Sequence, residues 1–344
     1  MKLLSASDKD ISLAAAALKD GGLVAFPTET VYGLGGDAFN VKALARIFEA
    51  KNRPHFDPLI IHIAEISALE RLACRGLLDK KAKADFDNLV KAFWPGPLTL
   101  VLPKKQEVPG LANSGLPTLA VRFPANEIAQ KLIKLSTGTI AAPSANPFGC
   151  LSPTRAEHVI SMLGDKADFI IDGGRTGLGL ESTVLDISAE PYALLRPGGI
   201  SREQIEAVTG PVEICALQIN DFSKDGEMPK SPGQLKNHYA PRTPLYLYNT
   251  EELGQMPLAP DEGRLYFSGI SPANDPAVSG LPPNKSIKVL SMQGDLVEAA
   301  ANFFDMLHEL DRLGLKLIRA EKAPAQGLGI AINDRLGRAA SNRA

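Results

Sequence analysis

The sequence has few cysteines and no strong excess of charge of either sign. Cys74, Cys150 and Cys215 are far apart and odd in number, which argues against a disulfide framework and against a zinc knuckle. The formal net charge of -2 argues against a broad electrostatic grip on nucleic acid. No apolar run is long enough to cross a bilayer, and the N-terminal segment lacks the pattern of a secretion signal. We therefore expect a cytoplasmic protein without a membrane partner.

The length and the order of patterns predict two α/β domains. A chain of 344 residues exceeds what one hydrophobic core usually supports. Short apolar runs alternate with helical patterns through most of the sequence, which is typical of an α/β protein. One stretch rich in polar residues, Pro and Gly interrupts this alternation. We predict a first domain at residues 1–212, a linker at 213–243 and a second α/β domain at 244–344.

The same patterns predict individual elements. Buried strands are expected at Leu23–Phe26, Leu59–Ile63, Thr99–Leu102, Leu119–Phe123, Thr139–Ala142, Phe169–Ile171, Thr183–Ile187, Ala193–Leu195, Leu245–Tyr248, Arg264–Phe267, Ile287–Leu290 and Lys316–Ala320. Helices are expected at Ile11–Lys19, Val41–Ala50, Asp79–Ala92, Glu127–Leu135, Ala156–Leu163, Arg202–Val208, Leu296–Leu313 and Ala331–Ala340.

Two polar segments carry a possible ligand site. Lys51–Pro54 places two cations just past a helical stretch, and Pro143–Asn146 places two short polar side chains just past an apolar one. Cations together with hydroxyl and amide donors suit a polyphosphate, because its oxygens are anionic and only accept hydrogen bonds. The alternative is an ordinary surface helix end and an ordinary turn.

A glycine-rich loop is predicted after the first strand, at Phe26–Gly36. It is not a Walker A loop, because no Gly-Lys-Ser/Thr follows, and its glycine spacing does not fit a dinucleotide fingerprint. The hydroxyls of Thr28 and Thr30 would lie at the carboxyl end of the strand, where open α/β sheets bind ligands. The alternative is a plain connection after the strand.

His62 and Arg122 each lie inside an apolar strand pattern. A lone histidine in such a strand is more often structural than functional, but it must find a hydrogen-bond partner. An unpaired buried guanidinium is too costly, so Arg122 needs a carboxylate, either from the protein or from a ligand. The sequence contains no metal-ligand motif and no convincing serine-hydrolase order, so we expect no metal site made by protein side chains.

A series of short motifs occurs together and in order, and it carries a family resemblance. The motifs are Phe26–Gly36, Lys51–Pro54, Pro58–His62, Trp94–Thr99, Ala120–Arg122, Ala142–Asn146, Ser152–Thr154, Asp172–Gly174, Glu181–Thr183 and Leu195–Gly198. With them the chain resembles the YrdC-like family of threonylcarbamoyl-AMP synthases. Ser231–Pro241 resembles the linker of the long form, which carries an extra C-terminal domain. The resemblance implies a twisted mixed sheet with flanking helices, followed by a smaller, Rossmann-like α/β domain.

The resemblance also implies roles for single residues. Lys51 and Arg53 would be the catalytic cations that neutralise developing phosphate charge. L-Threonine would be held by Thr30, His62, Arg122, Ala142 and Ser182. ATP would be held by Lys51, Arg53, Asp57, Thr118, Ser144, Asn146, Ser152, Arg196, His238 and Tyr239. Asp57 stands where relatives often have a neutral Asn, so a direct contact with the nucleotide and a contact through a metal ion both stay open.

By resemblance, the reaction joins L-threonine, bicarbonate and ATP into threonylcarbamoyl-AMP and pyrophosphate, with Mg²⁺ as cofactor. The product would pass to the tRNA threonylcarbamoyl transferase machinery for N6-threonylcarbamoyladenosine modification; direct contact with tRNA stays open. The linker Ser231–Pro241 would fold over the nucleotide as a lid. Two rival functions are a carbamoyl-phosphate-dependent transferase or hydrolase, and an RNA-binding module.

Overall fold

The first domain is built on one mixed sheet. The structure, a computed structural model, describes residues 1–215, 229–233, 239–269 and 285–340. Strands β1 to β11 are Lys2–Ser5, Val24–Phe26, Gly33–Asp37, Ile60–Ile63, Leu98–Pro103, Thr118–Arg122, Thr139–Ala141, Phe169–Asp172, Thr183–Asp186, Ala193–Arg196 and Glu213–Ile214. Their spatial order is β1-β8-β2-β3-β7-β4-β6-β5-β9-β10-β11, with both parallel and antiparallel neighbours. The predicted mixed α/β fold is confirmed.

Helices flank this sheet, and the capping residues of one of them explain where it begins and ends. Helices α1 to α7 are Asp8–Lys19, Val41–Lys51, Leu69–Leu72, Lys80–Phe93, Glu127–Leu135, Ala156–Leu163 and Arg202–Thr209. Helix α2 begins after Asn40, whose side chain accepts hydrogen bonds from two backbone N–H groups of the first turn. It ends at Asn52, which takes the left-handed conformation with φ 50°. Lys51 therefore lies in the last helical turn and Arg53 in the loop that follows.

Strands β4 and β6 lie side by side and run parallel. Both are almost entirely buried, and near-continuous apolar runs are typical of strands that are covered on both faces. Their register pairs His62 with Arg122, so these two polar residues lie next to each other. The strands predicted at Leu59–Ile63 and Leu119–Phe123 are therefore confirmed to within one residue at each end.

The glycine-rich segment after β2 is partly a strand, contrary to the loop predicted over Phe26–Gly36. Its second half forms β3, which pairs antiparallel with β2 and β7. A Cβ added at Gly35 would lie 2.8 Å from side-chain atoms of both Phe26 and Ile140. Glycine is needed at this position because neighbouring side chains pack against the backbone, and not because the chain turns there.

The second domain has a smaller sheet that is parallel throughout its described strands. Strands β12 to β15 are Leu245–Tyr248, Glu262–Tyr266, Ile287–Val289 and Leu317–Glu321, in the order β12-β15-β13-β14. Helices α8 to α10 are Thr250–Gln255, Leu296–Asp311 and Leu328–Ala340. The core of this domain includes Phe303 and Phe304, and it continues into the first domain through Val31, Leu151 and Leu180. The two domains therefore share a hydrophobic core.

Ion pairs also join the two domains. Arg155 in the first domain donates from Nε and Nη2 to the two carboxylate oxygens of Asp305 on α9, at 2.8 and 3.0 Å. Arg175 lies 3.4 Å from the same carboxylate. A second, fully buried pair links Glu181 in the first domain to Arg335 on α10 at 2.9 Å.

The predicted linker is described only in part. Strand β11 pairs with β10, so the large sheet extends two residues past the predicted boundary at residue 212. Residues 216–228 and 234–238 lie outside the described residues, and His238 is among them. After this gap, the backbone N–H of Ala240 donates to Gly149 at 2.8 Å, so the chain returns to the first domain. Among the helices of the described ranges, none is both long and apolar enough to span a membrane.

Candidate active site

A narrow cleft brings together residues from the two polar segments, Lys51–Pro54 and Pro143–Asn146, and from the linker. It encloses about 510 Å³ including its opening to solvent. Nine of the predicted site residues line it: Thr30, Arg53, His62, Arg122, Ala142, Ser144, Ser182, Arg196 and Tyr239. Pro232 and Gly233 of the linker also line it, together with Thr28 and Glu181. The predicted convergence of distant polar segments is therefore present in the fold.

Arg122 has a protein carboxylate as its partner. Its Nη2 lies 2.7 Å from Oε1 of Glu29, in the loop between β2 and β3. Its Nη1 donates to the hydroxyl of Thr30 at 3.0 Å, and its Nε donates to the carbonyl of Gly96 at 3.3 Å. Although burial acts in the opposite direction, the Arg122 guanidinium lowers the pKa of Glu29. A protein carboxylate, Glu29, therefore lies next to Arg122, and the contact with a ligand carboxylate stays a prediction.

His62 is buried beside Arg122 and is neutral over the physiological range. Burial first, and the Arg122 charge second, lower the pKa of His62 to about 3. Its Nδ1 lies 3.2 Å from the carbonyl oxygen of Ile60. A carbonyl only accepts hydrogen bonds, so Nδ1 carries the ring proton and Nε2 is left as an acceptor. His62 can therefore accept a hydrogen bond from a hydroxyl group in the cleft.

Lys51 is held by backbone carbonyls and lies behind the cleft wall. Its ammonium donates to the carbonyl of Ser144 at 2.5 Å and also to the carbonyl of Asn146. Burial, followed by the charge of Arg53, lowers the pKa of Lys51 well below the ordinary lysine value. The two segments that sequence reasoning linked, around Lys51 and around Ser144, are therefore in direct contact. The contact uses backbone oxygens rather than the short polar side chains.

Arg53 lines the cleft and is fixed by its own loop. Its Nε donates to the carbonyl of Asp57 at 3.0 Å and its Nη2 to the carbonyl of Pro58 at 2.7 Å. The carboxylate of Asp57 lies 2.8 Å from the same Nη2. Burial raises the pKa of Asp57, whereas the cations Arg53 and Lys51 act against this shift. Asp57 is fully buried and does not line the cleft, but it pairs with Arg53, which does.

Arg196, at the end of β10, is held by Ser182 just before β9. Its Nε and Nη2 donate to the Ser182 carbonyl at 3.1 and 2.9 Å, and Nη2 also donates to the Ser182 hydroxyl at 3.0 Å. The same hydroxyl lies 2.7 Å from that of Thr99 on β5. The Nη1 of Arg196 lies 3.4 Å from the carbonyl of Pro232, so this arginine joins the cleft wall to the linker.

Several predicted ATP-binding residues lie outside the cleft lining. Lys51, Asp57 and Asn146 are buried behind it, and Asn146 donates to the carbonyls of Pro147 and Cys150 instead. Ser152 is fully buried and donates to Glu181 at 2.5 Å. Thr118 begins β6, at the other end of that strand from Arg122. These five side chains do not line the cleft, and their direct contact with ATP stays a prediction.

Sequence reasoning missed two charged residues of the site, Glu29 and Glu181. Both stand inside quoted motifs, Glu29 between Thr28 and Thr30 and Glu181 directly before Ser182. The signal for Glu29 was the unmet need of Arg122 for an anion. Glu181 had no such signal, because its main cationic partner, Arg335, comes from the second domain.

Carboxylates around the cleft already have cationic partners. Glu29 pairs with Arg122, Asp57 with Arg53 and Glu181 with Arg335. The described residues contain no cluster of three or more side chains that could hold a metal ion. Each of these carboxylates thus has a cation of the protein beside it, and Mg²⁺ commonly binds through substrate phosphates, water and few protein groups.

The polar residues of the site fall into two groups of different charge. The paired group is Glu29, Thr30, His62 and Arg122, in which one cation faces one carboxylate. The cationic group is Lys51, Arg53, Asp57 and Arg196, in which three basic side chains face one carboxylate. The first arrangement is close to neutral, and the second favours a polyanion.

Comparison with known proteins identifies the family. The Sua5, YciO and YrdC family model, described as telomere recombination, matches residues 16–198, and the model described as threonylcarbamoyl-AMP synthase, C-terminal domain, matches residues 200–341. The threonylcarbamoyl-AMP synthase of Pyrococcus abyssi is 43% identical over 342 residues, which covers 97% of this chain and 94% of the relative. The chain belongs to the threonylcarbamoyl-AMP synthase family. The family resemblance that the motifs predicted is confirmed.

Two further comparisons show similarity over nearly the whole length of the chain. The Bacillus subtilis threonylcarbamoyl-AMP synthase is 43% identical over 99% of this chain and 95% of its own. The crystal structure of Pyrococcus abyssi Sua5 complexed with L-threonine is similar with a TM-score of 0.84 and 40% identity. It covers 100% of this chain and 98% of that one, so both domains have counterparts in that structure.

Proposed function

We propose that the protein is a nucleotidyltransferase that makes threonylcarbamoyl-AMP and pyrophosphate from L-threonine, bicarbonate and ATP. The product would then serve the N6-threonylcarbamoyladenosine modification of tRNA. The observation that carries this proposal is one cleft whose lining includes His62 and Arg122 of the paired group together with Arg53 and Arg196 of the cationic group. One group suits a zwitterion and the other a polyphosphate. A relative of similar structure was solved with L-threonine bound.

In this proposal L-threonine lies against the paired group. Its carboxylate would take the Nη2 position of Arg122 that Glu29 holds in the structure. Its hydroxyl would donate to the free acceptor nitrogen of His62. Glu29, released from Arg122, would face the ammonium of the same zwitterion. Each charge of the substrate would thus meet an opposite charge, from Arg122 in the cleft lining and from Glu29 next to it.

ATP would lie against the cationic group, with Arg53 and Arg196 toward its phosphates. Lys51 would act either from behind the wall, through the carbonyls of Ser144 and Asn146, or after release from them. Mg²⁺ would arrive on the phosphates and add charge neutralisation there. The protein side chains would supply alignment and electrostatic stabilisation, which is most of what phosphoryl-type transfer requires.

The chemistry balances in two steps. The threonine ammonium first releases one proton to solvent, and the resulting amine forms a nitrogen–carbon bond with bicarbonate. The second proton lost from nitrogen leaves with the hydroxyl group of bicarbonate as water. A carbamate oxygen then attacks the α-phosphorus of ATP, and the bond from that phosphorus to the bridging oxygen breaks. Pyrophosphate leaves with the electron pair. The aligned reactants make each step intramolecular in effect.

Product mass spectrometry tests the proposal. Incubation with L-threonine, ¹³C-bicarbonate, ATP and Mg²⁺ should yield threonylcarbamoyl-AMP that is heavier by one labelled carbon, together with pyrophosphate. Omission of L-threonine should abolish both products. Pyrophosphate release without a labelled adenylate would contradict the proposed synthesis.

The same assay separates the rival functions. A carbamoyl-phosphate-dependent enzyme would turn over when carbamoyl phosphate replaces bicarbonate and ATP, and we expect no turnover there. An RNA-binding module would need exposed cations, whereas Arg53, Arg122 and Arg196 are buried in the cleft. A salt titration of tRNA binding should therefore show no dependence on these three side chains.

A further inference from the structure

Arg335, on α10 of the second domain, is a fully buried cation whose partners belong mostly to the first domain. Its Nε donates to Oε2 of Glu181 at 2.9 Å, and its Nη2 donates to the carbonyl of Pro197 at 2.9 Å. Its Nη1 donates to the neighbouring Asp334 at 2.5 Å. A buried guanidinium is tolerated only with such complete pairing.

Two partners of Arg335 form part of the cleft wall. Glu181 lines the cleft, and its other oxygen accepts a hydrogen bond from Ser152 at 2.5 Å. The guanidinium carbon of Arg335 lies 4.8 Å from the ring centre of Tyr239, which also lines the cleft. One side chain of the second domain thus fixes a carboxylate and an aromatic ring beside the cationic group.

Glu181 would be harmful at this place without Arg335. It is a buried carboxylate in the wall of a cleft proposed to hold polyphosphate, and Arg196 is the second cation that acts on it. Although burial acts in the opposite direction, Arg335 first and Arg196 second lower the pKa of Glu181, so both cations favour its ionised form. A carboxylate released from Arg335 would neutralise Arg196 and repel phosphate oxygens.

We infer that Arg335 is a positioning residue of the second domain: it neutralises Glu181 and holds Tyr239, so that Arg196 keeps its charge for the triphosphate. The inference rests on the proposed function. It gives the second domain a defined part in nucleotide binding, which the first domain does not supply alone.

Three variants of the full chain test this role. Arg335→Met should weaken ATP binding about tenfold and raise the apparent KM for ATP, because Glu181 loses its partner. The apparent KM for L-threonine should not change. Arg335→Lys, which keeps the charge but not the fork of donors, should recover part of the ATP affinity. Adding Glu181→Gln to Arg335→Met should also recover ATP affinity, because the unpaired carboxylate is gone.

The control is Asp305→Asn, which breaks the other interdomain ion pairs, with Arg155 and Arg175, away from the cleft lining. It should lower stability without changing the KM for ATP. Wild-type ATP affinity in a folded Arg335→Met would overturn the inference, and so would equal effects of Arg335→Met and Asp305→Asn. If Arg335→Met does not fold, failure of Arg335→Lys to shift ATP affinity would overturn it. A wild-type chain that makes no product would instead contradict the proposed function.

Discussion

The paired group and the cationic group differ in the partners that hold their positively charged side chains. In the paired group, Arg122 lies 2.7 Å from the carboxylate of Glu29, and the neighbouring His62 stays neutral. In the cationic group, Arg53 also has a carboxylate, that of Asp57, at 2.8 Å, but Lys51 and Arg196 are held mainly by carbonyl and hydroxyl oxygens. A carbonyl offers a partial charge, so these cations keep an electrostatic demand that a carboxylate would have met.

The difference matches the proposed substrates. An amino acid zwitterion carries both charges, so a site that already holds one of each can exchange partners with little change in net charge. A triphosphate carries only negative charge and needs a site with an unmet positive excess. One cleft can thus discriminate two ligands by charge balance before shape is considered.

The largest expected effect comes from removing the cation of the paired group. Arg122→Ala should weaken apparent threonine affinity by about 100-fold or more in threonine-dependent pyrophosphate release, because a buried charged contact is lost. It should also cost about 3 kcal/mol in the free energy of unfolding, since the carboxylate of Glu29 stays buried without its partner.

The double variant Arg122→Ala/Glu29→Gln separates these two effects. The free energy of unfolding should recover, because no uncompensated charge is left. Threonine affinity should stay low, because the carboxylate site is still missing. Unchanged threonine affinity in either variant would remove Arg122 from the threonine site.

An effect of up to the same size, but on turnover and without a change in threonine affinity, is expected from the cationic group. Lys51→Met should reduce kcat by about two powers of ten, because charge on the α-phosphate is less well neutralised in the transition state. Apparent threonine affinity should be unchanged. The matched control is Lys42→Met, an exposed lysine on the same helix. A wild-type rate and wild-type ATP affinity in Lys51→Met would exclude Lys51 from catalysis.

The smallest effects concern pH, and they should differ between the groups. Threonine affinity should be flat between about pH 5 and 8, because His62 titrates near pH 3 and becomes charged only below that range. ATP affinity should fall as pH rises through the pKa of Lys51, which lies well below that of an ordinary lysine. Calorimetric titrations across pH would measure both. A threonine midpoint near pH 6.5, the ordinary histidine value, would contradict the burial of His62.

Much of the fold could be predicted from the sequence, because strands that are buried on both faces of a sheet appear in the sequence as continuous apolar runs. Strands β4 and β6 were predictable for this reason. Strand β3 was not, because Gly33–Asp37 carries almost no apolar side chains. This segment is a strand because Phe26 and Ile140 pack closely against Gly35, and only the folded sheet brings these three residues together.

Nine residues of the cleft lining were predictable from the sequence, but how deeply each predicted side chain is buried was not. Motif order indicated that Lys51 and Ser144 meet, and they do, yet Lys51 points to backbone oxygens behind the wall. Nothing in the sequence indicates whether a long side chain such as that of Lys51 contacts a ligand or a backbone carbonyl of the protein. Arg335 was still harder to find, because it lies in the second domain and belongs to the cleft only through tertiary contact with Glu181.

The parallel register of β4 and β6 has a consequence for insertions and deletions. Side chains alternate between the two faces of a strand, so a slip of one residue would move His62 and Arg122 to opposite faces of the sheet. Ile61 or Val121 would replace one of them at the cleft, and the buried surface would still be apolar. A single-residue insertion in either strand should therefore yield a compact protein that has lost its ligand site, which makes these strands a poor place for tags or loop grafts.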